Sequence, residues 1–302
     1  MRSQAGAWER VEGLFPAHFE VSIIGTLYIV ATPIGNLEDI TFRALRVLKE
    51  ADLIAAEDTR HTRKLLSHFG INTPLVSYHA HNQASRGPEL IRRLTAGENV
   101  ALVSDAGTPG FSDPGADLVS RAWEAGVLVT AIPGPAAGVA ALSLSGFKGD
   151  ILFVGFLPRG EGRRLKMFQA LAPEPRVIIM YESPRRLART LTEIAGTMPN
   201  REVLVVRELT KKFEETWRGP VTDIARKLQD IEIRGECALV LSCPAAAAMI
   251  PLADLADCLL KAAKESGLKG RRLADQVAGD LKIPRRQVYQ TYLALKEQGR
   301  VE

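Results

Sequence analysis

The stretch SDAGTPGFSDPG, residues 104–115, has a composition suited to holding a ligand directly against main chain. Its glycines and prolines fix the backbone while leaving few side chains in the way. Asp105 adds a carboxylate beside that backbone. The stretch follows the apolar run 99–103, which predicts a buried strand. We therefore expect a rigid loop at a strand end, shaped to lie against a ligand.

Two more Pro/Gly turns, at 32–37 and 133–137, also follow predicted strands. Ligands of open α/β sheets bind beyond the C-terminal ends of the strands, so we expect the three loops at one edge. None of them contains Lys or Arg, and the chain has neither a Walker loop nor a G-x-G-x-x-G fingerprint after its first strand. A ligand with a purine, a ribose and a cationic centre, such as S-adenosylmethionine, fits these loops better than a triphosphate.

Acidic residues beside arginine mark two other strand ends. In AAEDTRHT, residues 55–62, Asp58 or Thr59 is an ordinary helix N-cap on one interpretation. That interpretation leaves Arg60 unexplained, because a cation is disfavoured at a helix N-terminus. Substrate-facing chemistry is the alternative. YESPRR, residues 181–186, repeats the pattern of an acid followed by a helix that starts at proline.

Metal chemistry has weak support in the sequence. His79 and His81 have a spacing that occurs in metal sites, but no third ligand is evident nearby, so we predict no metal. Cys237, Cys243 and Cys258 match neither a disulfide framework nor a zinc pattern. Their odd number suits a reducing compartment, and we expect a cytoplasmic protein.

Apolar runs and helical periods alternate from residue 26 onward, which predicts a mainly parallel sheet with helices on both faces. The predicted strands of this first domain are 27–31, 53–56, 75–78, 100–103 and 127–132, and its predicted helices are 41–51, 60–69, 88–96 and 118–125. A second α/β domain follows. Its predicted strands are 151–156, 177–181, 203–207, 215–218 and 238–242, and its predicted helices are 162–171, 184–195 and 221–229.

The predicted organisation has four parts. They are an N-terminal extension (1–25), a first α/β domain with the cofactor loops (26–147), a second α/β domain (148–246) and an all-helical tail (251–302). A linker is predicted at 245–248. The apolar segment 21–31 is far shorter than a membrane span requires, so no membrane partner is expected.

The tail has the pattern of a helix-turn-helix. Helices are predicted over 252–265, 271–281 and 285–298, with a turn at Ile283 and Pro284. Residues 266–300 hold eight Lys or Arg against three Asp or Glu. Residues 1–156 hold 13 against 16, and the remainder holds 26 against 19. A polyanion partner such as RNA is one interpretation. A solvated basic face and a bundle that only packs are the others.

Eight motifs in register over 26–243 resemble the ribosomal RNA small-subunit methyltransferase I family, within the tetrapyrrole-methylase superfamily. They are LYIVATPIGNLEDIT, AAEDTRHT, SDAGTPGFSDPG, IPGPAA, FVGFLPR, YESPRR, RELTKKFEE and GECALVLS. The resemblance implies two α/β domains with S-adenosylmethionine in the cleft between them, and a homodimer. It also implies methylation of a cytidine ribose 2′-hydroxyl in small-subunit ribosomal RNA, within the assembled subunit.

The resemblance also implies site residues. The cofactor contacts fall on Pro33, Ile34, Gly35, Asp105, Gly107, Thr108, Pro109, Ala136, Ala137, Tyr181, Glu236 and Cys237. Candidates for a general base are Glu57, Asp58 and Glu182, with Arg60 holding a phosphate or polarising the hydroxyl. The chain departs from the family pattern at Ala80 and Gln83, so the histidine loop receives no catalytic role. It also has Arg185 before Arg186, where a His-Arg pair is common.

Two other functions compete with this one. A methylase of the same fold acting on a tetrapyrrole or another small molecule needs neither a basic second half nor a helical tail. A DNA-binding regulator would use the tail for DNA and the cleft for an effector.

Overall fold

The computed structural model describes residues 24–113, 115–244, 252–281 and 285–301. Most of the predicted N-terminal extension, the predicted linker 245–248 and the turn at Ile283 and Pro284 lie outside the described residues. The described chain divides into two compact units. One extends to Ala140 and includes the loop Leu209–Phe213, and the other comprises the remainder.

The first unit contains a five-stranded sheet in the order β3-β2-β4-β1-β5, with every neighbouring pair parallel, as the sequence predicts. Its strands are β1 (Thr26–Val30), β2 (Leu53–Ala56), β3 (Leu75–Ser77), β4 (Val100–Val103) and β5 (Leu128–Ile132). The three Pro/Gly loops follow β1, β4 and β5, which are direct neighbours. This strand order brings the loops together at one edge of the sheet.

Helices cover both faces of this sheet. They are α1 (Phe42–Glu50), α2 (Thr59–His68), α3 (Gln83–Thr95) and α4 (Ala116–Glu124). The helix α5 (Ala137–Ser145) follows β5 and crosses the boundary between the two units. Successive strand residues point to opposite faces, so Ile54 packs with α1 and α2 whereas Leu53 packs with α3 and α4. The central strands β2 and β4 are therefore buried along their whole length, which explains their continuous apolar sequences.

Two helices of the first unit differ from the sequence prediction. The helix α3 begins at Gln83, five residues before the predicted start, and includes Pro88 in its interior. Proline commonly opens a helix, which is why the pattern favoured a start there. The helix α5 was not predicted, because its sequence AGVAALSLS is small and apolar all round and shows no helical period.

The second unit has a mixed sheet in the order β6-β7-β10-β8-β9, in which only β6 and β7 are parallel neighbours. Its strands are β6 (Ile151–Phe156), β7 (Val177–Glu182), β8 (Glu202–Arg207), β9 (Glu215–Pro220) and β10 (Cys237–Leu241). The helices α6 (Glu161–Leu171), α7 (Pro184–Thr197) and α8 (Val221–Leu228) share its main apolar core. The local sequence patterns predicted these strands and helices, but they carry no information on the relative directions of the strands.

The C-terminal helices are α9 (Leu252–Ser266), α10 (Gly270–Leu281) and α11 (Arg285–Glu297). They form an apolar cluster of their own, with Leu259, Leu273 and Val288 fully buried. Leu273, Val277, Val288, Tyr292 and Leu295 are buried in this cluster, and Leu281 packs against it. Among the described residues, no helix has the length and apolar character that crossing a membrane requires.

Candidate active site

The loops after β1 and β4 are joined by main-chain hydrogen bonds. Thr32 N donates to Gly107 O at 2.9 Å, and Gly107 N donates to Thr32 O at 3.0 Å. Thr32 Oγ1 also donates to Ser104 O at 3.3 Å. Gly107 has a φ of +79°, a conformation that glycine adopts without strain. The Pro/Gly loop after β4 is thus hydrogen-bonded to the loop after β1, beyond the ends of these two parallel strands.

The third loop closes against the other two. Thr108 Oγ1 donates to Pro135 O at 3.1 Å. A methyl group at Gly107 would lie 3.6 Å from the Ile34 side chain and 3.8 Å from Pro135 O, so all three loops meet around this glycine. Ala136 and Ala137 lie where this loop enters α5. Of the predicted cofactor contacts, the structure therefore brings together those of the three loops: Pro33, Ile34, Gly35, Asp105, Gly107, Thr108, Pro109, Ala136 and Ala137.

Three carboxylates gather beside these loops. Asp58 N donates to Asp105 Oδ1 at 3.0 Å, and Asp105 N donates to Glu57 Oε2 at 3.4 Å. The pairing of β2 with β4 explains this proximity, since Ala56 is opposite Val103 and both strands end there. Burial raises the pKa of the Glu57 carboxyl above its ordinary value of 4.5, and the Asp105 carboxylate adds to the rise. The edge therefore has the negative charge that a cationic ligand requires.

Asp58 also begins α2, so the N-cap interpretation holds for it. Its Oδ1 accepts from Arg60 N at 2.8 Å, and the Arg60 side chain pairs with the same carboxylate at 2.8 Å. These hydrogen bonds hold the pKa of Asp58 well below its ordinary range. Arg60 is highly exposed, which leaves its outer face open to a phosphate.

A pocket of about 250 Å³ opens beside the three carboxylates. It is lined by Thr32, Pro33, Gly35, Leu37, His61, Thr62, Lys64, Leu65, Ser104 and Asp105. The contribution of Lys64 and Leu65 to this lining was not predicted, although with His61 they are spaced for one helical face. Lys64 brings a cation to a site whose loops contain none.

A second lysine reaches the first loop from a distant part of the chain. A methyl group at Gly35 would lie 2.4 Å from Lys211 Cγ and 3.0 Å from Lys211 Cε. Any residue larger than glycine would have to displace that side chain. Lys211 belongs to the loop that groups with the first unit. Only the fold could reveal this contact, because 176 positions separate the two residues.

His79 lies on the loop after β3, where Asn82 Oδ1 accepts from its main-chain N–H at 2.8 Å. Its Nδ1 atom is buried and has no hydrogen-bond partner among the described residues. Electrostatic attraction to His79 lowers the pKa of Glu57, opposing the effect of burial. The described residues contain no group of three or more His, Cys, Asp or Glu side chains able to hold a metal ion.

The predicted site residues of the second unit fall into two groups. Tyr181 is half-buried, and its ring contacts Phe153 and Phe156 at centroid distances of 5.5 and 5.2 Å. Glu236 is exposed, and its N–H donates to Glu208 Oε1 at 2.9 Å. Both are open to a ligand.

Glu182 and Cys237 are buried instead, and they face each other across β7 and β10. Glu182 accepts from Thr190 Oγ1 at 2.8 Å and pairs with Arg186. Burial raises the pKa of the Cys237 thiol to about 12. These contacts give Glu182 a structural role and argue against it as the base.

Comparison with known proteins identifies the class of protein to which this fold belongs. The sequence profile of the tetrapyrrole (corrin/porphyrin) methylases matches residues 26–225. Two solved structures share the fold. A cobalt precorrin-4 methyltransferase aligns with a TM-score of 0.55 and 19% identity, covering 72% of this chain and 94% of that one. Thermus thermophilus uroporphyrin-III C-methyltransferase, complexed with S-adenosylhomocysteine, aligns at 0.53 and 22%, covering 72% and 97%.

Curated relatives narrow the class. The ribosomal RNA small subunit methyltransferase I of Synechocystis sp. is 46% identical over 91% of this chain and the whole of that protein. The proteins of the same name from Halalkalibacterium halodurans and Bacillus subtilis are 43% and 48% identical, covering 89% and 73% of this chain and 94% and 76% of theirs. The chain belongs to the ribosomal RNA small subunit methyltransferase I family of tetrapyrrole methylases, as the sequence motifs indicated.

The raised pKa of Glu57 predicts a pH-dependent stability difference. The folded chain favours the protonated form of Glu57. The stability that this protonated carboxyl contributes is therefore full below pH 4.5 and is lost as the pH rises through the pKa of the folded chain. Glu57→Gln cannot ionise and keeps an oxygen for the Asp105 amide. We expect this variant to melt at a higher temperature than the wild type at neutral pH, with the difference shrinking below pH 4.5.

The control is Glu124→Gln, at the exposed end of α4. Calorimetric melts across a pH series measure both variants. A Glu57→Gln difference that is independent of pH would contradict the carboxylate cluster.

Proposed function

We propose that this chain transfers the methyl group of S-adenosylmethionine to the ribose 2′-hydroxyl of a cytidine in small-subunit ribosomal RNA. The single observation that supports it most is the junction of three loops around Gly107, beside an exposed Asp105 carboxylate. Such an edge suits a ligand that is read by main-chain groups and has a positive centre. Family membership supplies the substrate class.

The residues present fit this cofactor. The loops offer main chain and small side chains, which suit a nucleoside, and Asp105 with Glu57 and Asp58 offsets the charge of a sulfonium or an ammonium group. The pocket beside them adds Lys64, a partner for a carboxylate or a phosphate. When bound, the cofactor supplies an activated methyl group on a cationic sulfur.

The chemistry required of the protein is mainly positioning. The ribose oxygen forms a bond to the methyl carbon as the carbon–sulfur bond breaks, the bonding pair stays on sulfur, and the hydroxyl proton leaves to a base. Holding the two reactants in line contributes about 7–11 kcal/mol in well-oriented reactions. A general base adds roughly 10²–10⁴-fold.

Glu57 is the better placed of the remaining base candidates. Its raised pKa brings it closer to neutrality, where a general base is most effective. Asp58 is a weak base because Arg60 and the α2 amides stabilise its charge. In this proposal, Asp58 positions Arg60, and Arg60 with Lys64 holds RNA phosphates near the pocket.

Localisation and assembly are part of the same proposal. Cys237, Cys243 and Cys258 are free thiols, which supports a cytoplasmic protein. The homodimer and the assembled small subunit as substrate are supported by family resemblance. Sedimentation of the purified chain tests the homodimer, and comparing free RNA with small subunits as methyl acceptors tests the subunit.

Mass spectrometry of small-subunit ribosomal RNA tests the activity. A strain lacking this protein should lose one 2′-O-methylcytidine, and the wild-type gene should restore it. Asp105→Ala should restore little, because the carboxylate that offsets the cofactor's charge is gone. Asp230→Ala, at an exposed position of the second unit, is the matched control and should restore it fully. Persistence of every ribose methylation in the deletion strain would refute the proposed function. It would then favour a methylase of the same fold that acts on a small molecule.

We propose further that the helical tail binds RNA phosphates. The three tail helices pack around an apolar cluster of their own. Arg271 and Arg272 are exposed on α10, and Lys296 is exposed on α11.

Deleting residues 251–302 should leave cofactor affinity intact and weaken binding to small subunits. The loss should shrink as salt rises, because phosphate contacts release counterions. Filter binding across a salt series measures it. Equal affinities of the truncated and full-length chains at low salt would favour a packing role.

A further inference from the structure

The loop that follows β6 is fixed by two arginines from neighbouring helices. Arg164 of α6 donates to Pro158 O and Arg159 O at 3.4 and 3.5 Å. Arg186 of α7 donates to Pro158 O and Leu157 O at 3.2 and 3.4 Å. Three successive carbonyls of one loop thus accept from guanidinium groups. The backbone of this loop is held in one position.

Each of these arginines is anchored by a carboxylate. Arg164 is 2% exposed and makes two hydrogen bonds of 2.6 Å to Glu193. Arg186 pairs at 2.5 Å with Glu182, which is itself buried. In both pairs a carboxylate fixes the guanidinium that donates to the loop, through charge-assisted hydrogen bonds that are stronger than neutral ones. A surface loop held this firmly implies that its side chains need a fixed position.

The side chains presented there are unneutralised arginines. The acids of this region are occupied, because Glu161 pairs with Arg189, Glu182 with Arg186 and Glu193 with Arg164. Three further arginines are exposed and form no ion pair with any described residue: Arg159, Arg163 and Arg185. The Arg163 guanidinium approaches Gly160, with its Nε atom 3.5 Å from where a methyl group on that glycine would stand, and Gly160 directly follows Arg159 in the chain.

An exposed aromatic ring lies at the same edge of the sheet. Phe156 ends β6 and is opposite Tyr181, which precedes the end of β7. The Phe156 side chain is 64% exposed, and the Tyr181 ring supports it edge-on. Phe156 immediately precedes the fixed loop, which contains Arg159, and Arg163 and Arg185 lie in the first turns of α6 and α7, the two helices that hold this loop. We call Phe156, Arg159, Arg163 and Arg185 the arginine edge.

We propose that the arginine edge binds single-stranded RNA of the substrate, with a base stacked on Phe156 and phosphates held by the arginines. Single-stranded RNA is recognised by aromatic stacking beside a positive groove. Arginine forks match phosphate oxygens and give up hydration more readily than lysine. The proposal rests on RNA being the substrate, as proposed above, and it assigns this second unit a substrate-binding surface.

The test is the affinity of the full chain for unmodified small-subunit ribosomal RNA transcribed in vitro. Arg159→Gln with Arg163→Gln should weaken binding roughly tenfold near physiological salt, and the slope of log affinity against log salt should become less steep by about 1.4. Phe156→Ala should weaken binding roughly 5- to 100-fold, as expected for loss of one stacked base, whereas Phe156→Tyr should retain it.

Matched controls separate this surface from general charge and apolar area. Lys148→Gln with Arg226→Gln removes the same charge at exposed positions, and Lys148 precedes β6, at the opposite end of that strand from Phe156. Trp123→Ala removes an aromatic ring that is also 64% exposed. Both controls should bind RNA as the wild type does, and every variant should melt with the wild type.

RNA affinities of the arginine-edge variants that equal those of the controls would overturn the proposal. So would unchanged RNA binding accompanied by loss of self-association in sedimentation, because the surface would then be an interface between copies of the chain. Methyl transfer by the wild type is measured in parallel. Its absence would refute the proposed function, while the binding comparison still decides the role of the arginine edge.

Discussion

The pair of hydrogen bonds between Thr32 and Gly107 is the constraint on which the candidate active site depends. Parallel strands diverge into separate loops, and these two main-chain bonds reunite the loops after β1 and β4. The third loop then adds through Thr108 and Pro135. Glycine is favoured at the junction because φ is positive there, a conformation that residues with side chains rarely adopt. The result is a preformed edge of main chain, which suits a nucleoside better than a cluster of flexible side chains would.

Charge is arranged differently in the two units. In the first, three carboxylates gather at the loop edge, where burial and the neighbouring Asp105 charge raise the pKa of Glu57. This concentration of negative charge suits a cationic donor. In the second, Glu182 and Glu193 form ion pairs with Arg186 and Arg164, the two arginines that fix the loop after β6. Three arginines beside that loop, Arg159, Arg163 and Arg185, are exposed, and a polyanion is a fitting partner for them. Under the proposed function, the first arrangement serves the cationic methyl donor and the second serves the RNA.

The sequence predicted the features whose signal is local along the chain. Alternation of apolar runs predicted the strands, and the loops with Gly107 and Asp105 stood out by composition alone. It failed where a signal was absent or distant. The helix α5 lacks a polar face, and the place of β10 between β7 and β8 depends on non-local pairing. Burial of Glu182 and the approach of Lys211 to Gly35 likewise arise from tertiary packing, which spacing does not encode.

Hydrogen exchange with and without S-adenosylhomocysteine tests the central claim, that the three joined loops of the first unit hold the cofactor. We expect slower exchange in the peptides covering 32–37, 104–110 and 134–138 when the ligand is present, because it covers their main chain. These peptides should respond together, since the loops share hydrogen bonds around Gly107. Ligand-dependent protection confined to other segments, with these three unchanged, would contradict the account.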